Sequence, residues 1–177
     1  TYFRKTIKNH KMKRPPYDVF PEIISDEIIL REIQIEDVKD IVEISFYDSR
    51  PASTVEDAIT MQGKINLDYL NGSSIHWGIV DKQTNSIVGT LGYYRGLDKG
   101  VGELGCVLKS NFRGKGFMTL AMTLAIEFGI KNIGLKEIIA ITTTQNRSAV
   151  KLLERLNFVK TRNLEEDEIE YKYVNIA

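Results

Sequence analysis

Hydrophobic positions recur with two different periods along this chain, and the order of those periods outlines the fold. Residues 28–33 (Ile-Ile-Leu-Arg-Glu-Ile) form a short β-like run. In 35–47, Ile35, Val38, Ile41 and Val42 lie close to helical spacing and predict a first helix. Ser53 and Glu56 have the spacing of a capping box, which predicts a second helix from there to Leu70, stopped by Asn71-Gly72. Two β-like runs follow, 76–81 and 87–94, joined by the polar turn 82–86, and a third spans 101–108 after Asp98-Lys99-Gly100. Three neighbouring strands with short turns predict an antiparallel meander.

The second half changes rhythm. Phe117, Leu120, Ala121, Leu124, Ala125 and Phe128 share one helical face, with Gly129 near its end. Residues 137–142 read as a buried strand, Ala149, Leu152, Leu153 and Leu156 as another helical stripe, and 158–162 and 168–174 as two closing strands. A meander followed by strand, helix, strand, helix and strand predicts an α+β fold, a mixed sheet packed by helices.

Composition narrows what such a fold does. At 177 residues, against roughly 150 per domain, one domain is expected. Lys plus Arg and Asp plus Glu both number 24, so no overall field favours nucleic acid or an acidic membrane. The balance hides a basic N-terminal arm over 1–20, with Arg4, Lys5, Lys8, Lys11, Lys13 and Arg14, ahead of a single domain over 21–177. Such an arm is expected to be solvated, with contact to RNA as its other use. One cysteine, Cys106, and two histidines, His10 and His76, exclude a disulfide framework and make no metal site. The longest apolar stretch, 117–126, is too short to span a bilayer, and no signal peptide is visible. A soluble, cytoplasmic protein is expected.

The segment Lys109-Ser110-Asn111-Phe112-Arg113-Gly114-Lys115-Gly116-Phe117-Met118 carries the chemistry. A strand ends before it and an amphipathic helix begins inside it. Two glycines let the backbone approach a ligand closely, and the first helical turn offers free N–H donors and a positive dipole end. Arg113 and Lys115 add positive charge, so the loop suits a pyrophosphate. A Walker loop is excluded because Gly116, not Ser or Thr, follows Lys115, and a dinucleotide fingerprint fails at Thr119.

Arg113-Gly114-Lys115-Gly116-Phe117 resembles the acetyl-CoA signature of the GNAT N-acetyltransferases: Gln or Arg, two residues, Gly, one residue, Gly or Ala. Met118 stands where that signature has a small residue, and its side chain must turn away from the pyrophosphate. Residues 21–31 and 142–158 are similar to the opening and the last block of the ribosomal-protein N-terminal acetyltransferase (RimJ/RimL-like) branch. Asn157 replaces the glycine usual there and is expected to take a left-handed conformation. The resemblance implies a three-layer fold: a twisted, mostly antiparallel sheet of six to seven strands with about four helices, splayed between the strands ending at Leu108 and Thr142. It also implies acetyl-CoA as cosubstrate. Cys106, Val107 and Leu108 would lie along the pantetheine arm, Arg113, Gly114, Lys115, Gly116, Phe117 and Met118 around the pyrophosphate, and Asn146 on the far side.

Acetylating an amine requires a neutral nucleophile, and an alkyl ammonium titrates near ~10.4. Glu103 alternates with Val101, Gly105 and Val107 on one face of an apolar strand, where desolvation can raise a carboxylate into a basic role. Its other reading is an edge carboxylate paired with a lysine or arginine. Relatives protonate the leaving thiolate from a tyrosine or serine of the last helix. Here Leu153 and Ala149 hold those positions, and Ser148, one residue early, is turned by about 100° toward solvent or a helix cap. Tyr93, Tyr94 and Tyr173 are alternative donors, as is water. Trp77 reads as core, and Cys106 as a small buried hydrophobe rather than a nucleophile. The acidic run 165–168 is usually a solvated loop, though in this branch it borders the acceptor groove. The expected function is acetyl transfer by direct attack in a ternary complex onto a protein N-terminus, a polyamine or another small amine. A homodimer is left open, and no membrane, nucleic acid or metal is expected. The rival functions are a non-catalytic acetyl-CoA sensor and an RNA- or ribosome-associated module.

Overall fold

Why the chain folds into one wide sheet is clearest in a computed structural model, which describes residues 12–176. The elements run β1 (Ile23–Ile24), β2 (Ile28–Arg31), β3 (Phe46–Tyr47), β4 (Arg50–Pro51), α1 (Val55–Leu70), β5 (Ile75–Asp81), β6 (Ser86–Tyr93), β7 (Val101–Leu108), α2 (Phe117–Phe128), β8 (Glu137–Thr143), α3 (Arg147–Arg155), β9 (Phe158–Asn163) and β10 (Glu168–Tyr173). Eight strands form the main sheet in the order β1-β2-β5-β6-β7-β8-β10-β9, while β3 and β4 make a separate hairpin. Every neighbouring pair in the sheet is antiparallel except β7 with β8.

Strands β5 and β6 are apolar on both faces because both faces are covered. Trp77, Leu91 and Tyr93 pack with α2 residues such as Ala121, Met122 and Ala125 in the larger core. Val80 and Ile87 pack on the opposite face with Val38, Ile41, Ile44 and Ala58. Trp77 is fully buried, and its indole N–H donates to the Pro21 carbonyl at 2.8 Å. The described part of the N-terminal segment lies against this body: Lys13 N–H donates to Ile133 O and Tyr17 N–H to the Tyr69 hydroxyl. The rest of the basic arm, residues 1–11, lies outside the described residues. Among the described residues, no helix is long and apolar enough to cross a membrane.

Three local expectations change. Residues 35–47 are not an α-helix but two 3-10 segments, Ile35–Asp40 and Val42–Ile44, running into β3. The buried set, Val38, Ile41 and Ile44, recurs every third residue, which is the repeat of a 3-10 helix. Helix α1 is capped one residue later than Ser53: the Thr54 hydroxyl accepts from Asp57 N–H, and the Asp57 carboxylate accepts from Ser53 N–H. Helix α2 continues past Gly129 as a π-helical turn to Ile133, and the left-handed residue that stops it is Gly134. Asn157 does take the left-handed conformation, at φ 64°.

The sheet opens where the family resemblance implied. β7 and β8 pair only at Val101–Glu137, Gly102–Ile138 and Glu103–Ile139. Beyond that, Ala140 to Thr143 pair with β10 alone, and the rest of β7 has a neighbour only in β6.

Candidate active site

The loop after β7 is built to receive an anion. A short 3-10 turn, Ser110–Phe112, leads to Gly114 and Gly116 at φ 74° and 86°. Gly116 is the N-cap of α2 and contributes no side chain, so the N–H groups of the first turn remain available. A Cβ built on either glycine meets nothing within 4 Å. The positive φ angles and the open space together leave backbone facing a hollow.

That hollow, about 580 Å³, is lined by Cys106, Val107, Leu108, Arg113, Gly114, Gly116, Met118 and Asn146, and also by Ser148. Lys115 and Phe117 differ: they line a separate hollow beside Asp26 and Asp81, and the Lys115 ammonium lies 5.4 Å from the Phe112 ring centroid. Met118 packs in the core, with one side still lining the hollow. The Asn146 amide oxygen is occupied in capping α3, accepting from Ala149 N–H at 3.2 Å. Ser148 is exposed, and Leu153, at the position where relatives have a tyrosine, is buried in the core. Sequence reasoning missed Lys151 and Arg155, one turn apart on α3, which bring two further charges to this groove. The basic spacing Arg147, Lys151, Arg155 was the available signal. Open glycines, free N–H donors and three cations fit the phosphates of CoA.

A second cavity, about 520 Å³, lies on the opposite face of β7. Ser74, His76, Thr90, Tyr94, Glu103, Gly105 and Val107 form its floor, and the 3-10 segments, α1 and the β3–β4 hairpin cover it. Asp48, Asp68 and Glu103 put three acids on its walls against one cation, Arg95. Asp68 accepts from the Tyr47 hydroxyl at 3.0 Å. Val107 lines both cavities, so the two meet across one strand at the splay.

Glu103 sits in this second cavity with Arg95 Nε 3.4 Å from its Oε2, so the expected pairing with an arginine is present. Its pKa is raised, first by desolvation; Arg95 opposes the rise, and Glu168 and Glu170 across the splay reinforce it. Tyr94 lies over Gly105, and its hydroxyl pKa is raised, first by desolvation and then by the neighbouring Cys106 and Glu103. Tyr93 instead donates to Ala125 O at 2.8 Å inside the core, and Tyr173 packs on Phe158 beside Asn157. Cys106 opens to the hollow beside the glycine loop, not the core. The protein around its thiol still pushes the pKa up to about 12, and Sγ lies 3.8 Å from Met122 Sδ.

Known proteins converge on the same description. The N-acetyltransferase YoaA of Bacillus subtilis is 27% identical over 150 residues, covering 80% of this chain and 85% of that protein. The ribosomal-protein-S5-alanine acetyltransferase of Vibrio fischeri superposes with a TM-score of 0.72 at 21% identity, over 88% of this chain and 97% of the other. The spermidine N-acetyltransferase of Vibrio cholerae, a dodecamer, gives 0.69 at 17% identity, over 84% and 92%. The model of the acetyltransferase (GNAT) domain matches residues 27–159, from β2 to the start of β9 and through both cavities. The chain therefore belongs to the GNAT family and is an acetyltransferase.

Proposed function

We propose that this enzyme transfers the acetyl group of acetyl-CoA to a primary amine by direct attack in a ternary complex, the amine entering from the acid-lined cavity. The observation that carries the reading is the pair of cavities on opposite faces of β7 that meet at Val107. In this reading the N–H groups at Gly114, Gly116 and the first turn of α2 hold the pyrophosphate, with Arg113, Lys151 and Arg155 around it. Acetyl-CoA supplies the activated acyl thioester. Glu103, its basicity raised by desolvation, takes the proton from the incoming ammonium, directly or through a water. Cys106 stays a thiol at neutral pH, which favours direct attack over an acyl-cysteine. The leaving thiolate, whose conjugate acid titrates near ~8.5, takes its proton from water without a dedicated side chain.

The acceptor's class follows from the walls. Asp48, Asp68 and Glu103 attract an ammonium group, which suits both a protein N-terminus and a polyamine; the Vibrio fischeri enzyme is named for a ribosomal-protein alanine and the Vibrio cholerae one for spermidine. Incubation with acetyl-CoA and an amine library, with free thiol followed over time, tests the reading. Amine-dependent thiol release is expected. Stabilisation by acetyl-CoA with no release above buffer would support a sensor instead, the reading favoured by Leu153 and Ala149 where relatives have donors.

A further inference from the structure

One rung of the sheet crosses the floor of the acceptor cavity: His76 of β5 stands opposite Gly92 of β6, and Gly92 opposite Gly105 of β7. Residues directly opposite in a sheet point to the same face, so the two glycines leave a trough beside the imidazole. Two rings lie across it. A Cβ on Gly92 would come within 3.0 Å of His76 Cδ2, and one on Gly105 within 2.5 Å of Tyr94 Cε2. The rings themselves are 5.5 Å apart, tilted by 50°.

The two nitrogens of His76 have different surroundings. Nδ1 is sealed from solvent and has no hydrogen-bond partner among the described residues. Nε2 is not sealed in this way, and the residue lines the cavity, so Nε2 is the nitrogen open to a ligand there. A buried N–H without a partner is rarer and costlier than a buried lone pair, so the proton belongs on Nε2 and the lone pair on Nδ1. Burial holds the imidazole pKa down to about 4, which keeps the ring neutral with a single N–H.

We propose that His76 is a specificity-determining residue that donates Nε2–H to an oxygen atom of the substrate lying close to its amine. The inference rests on the acetyl-transfer reading above. The acids Asp48, Asp68 and Glu103 can only accept hydrogen bonds when ionised, so they hold an ammonium but not an oxygen. The hydroxyls of Ser74, Thr90 and Tyr94 can turn either way and do not discriminate. The His76 donor cannot reverse, because its other nitrogen is sealed. An amine carrying a carbonyl or hydroxyl oxygen nearby satisfies both sets of groups, whereas a plain alkyl amine leaves the imidazole N–H without a partner.

The test compares glycinamide with propylamine as acceptors for the wild type, His76→Leu and His76→Gln, with acetyl-CoA binding confirming that each variant is folded. Taking variant over wild type within each acceptor cancels their different basicities. His76→Leu should lower kcat/KM for glycinamide about 10–100-fold, the range for a lost hydrogen bond that strands its partner, and lower that for propylamine by a clearly smaller factor. His76→Gln retains an N–H donor and should keep most of the glycinamide activity. Equal losses with both acceptors, or no loss with glycinamide, would overturn the role of His76 alone. Absence of wild-type thiol release with every amine would overturn the acetyl-transfer reading and this inference with it.

Discussion

Glu103 faces Arg95 on its own side of the splay and Glu168 and Glu170 across it. Arg95 is mostly exposed, so solvent screens its pull and desolvation prevails. A raised carboxylate pKa means that the protonated, inactive form persists to higher pH than for an ordinary glutamate. The acid limb of the rate profile should therefore lie above the usual carboxylate range. Glu103→Gln should abolish that limb and lower turnover about 10²–10⁴-fold at neutral pH. The defect should narrow as the pH approaches the amine's own pKa, where the acceptor is already neutral. Nearly normal turnover with a lowered melting temperature would mean that Glu103 serves only its pairing with Arg95. Strand alternation in the sequence was enough to put Glu103, Gly105 and Val107 on one face. It could not reveal Arg95 as a partner, nor the sealed nitrogen of His76, because both depend on what neighbouring strands bring opposite.

Among the elements, the glycine loop and α2 were readable because their signals are local: two glycines, a strand end, and an apolar face at helical spacing. The 3-10 stretch was not, since Ile35, Val38, Ile41 and Val42 cluster on one face under a 3.6 repeat as well as under a 3.0 one, and only tertiary burial chose between them. The β3–β4 hairpin escaped for a related reason. Asp48 and Ser49 both take positive φ, a demand usually met by Asn-Gly or Asp-Gly, and serine gives no such warning. The loop also supplies a clean test. A Cβ added at Gly114 or Gly116 meets no atom within 4 Å, so the main cost to folding expected of Gly114→Val and Gly116→Val is the left-handed strain, about 1–2 kcal/mol each. The added side chains fill the space where the pyrophosphate would sit. Calorimetry should show acetyl-CoA affinity lost in both variants while the circular dichroism spectrum stays native. Unchanged affinity in both would remove the loop from the site.

Across the whole molecule, the sheet is two half-sheets joined at three residue pairs, and β7 is the strand both cavities share. The order of the elements predicted a mixed sheet packed by helices, and the family resemblance implied that it opens; the extent of the opening came only from the register. Glu103 and Lys109 both donate their N–H groups toward β6, to Arg95 O and Val88 O. By alternation the N–H groups of Cys106 and Leu108 point the other way, into the gap. Nothing in the sheet shields these two amides, although each belongs to a strand whose alternate amides are locked. In deuterated water the strand should therefore label in a one-in, one-out rhythm, Cys106 and Leu108 exchanging well ahead of Gly105 and Val107. Saturating acetyl-CoA should slow the fast pair and barely alter the slow one, which turns two backbone protons into a readout of cosubstrate occupancy.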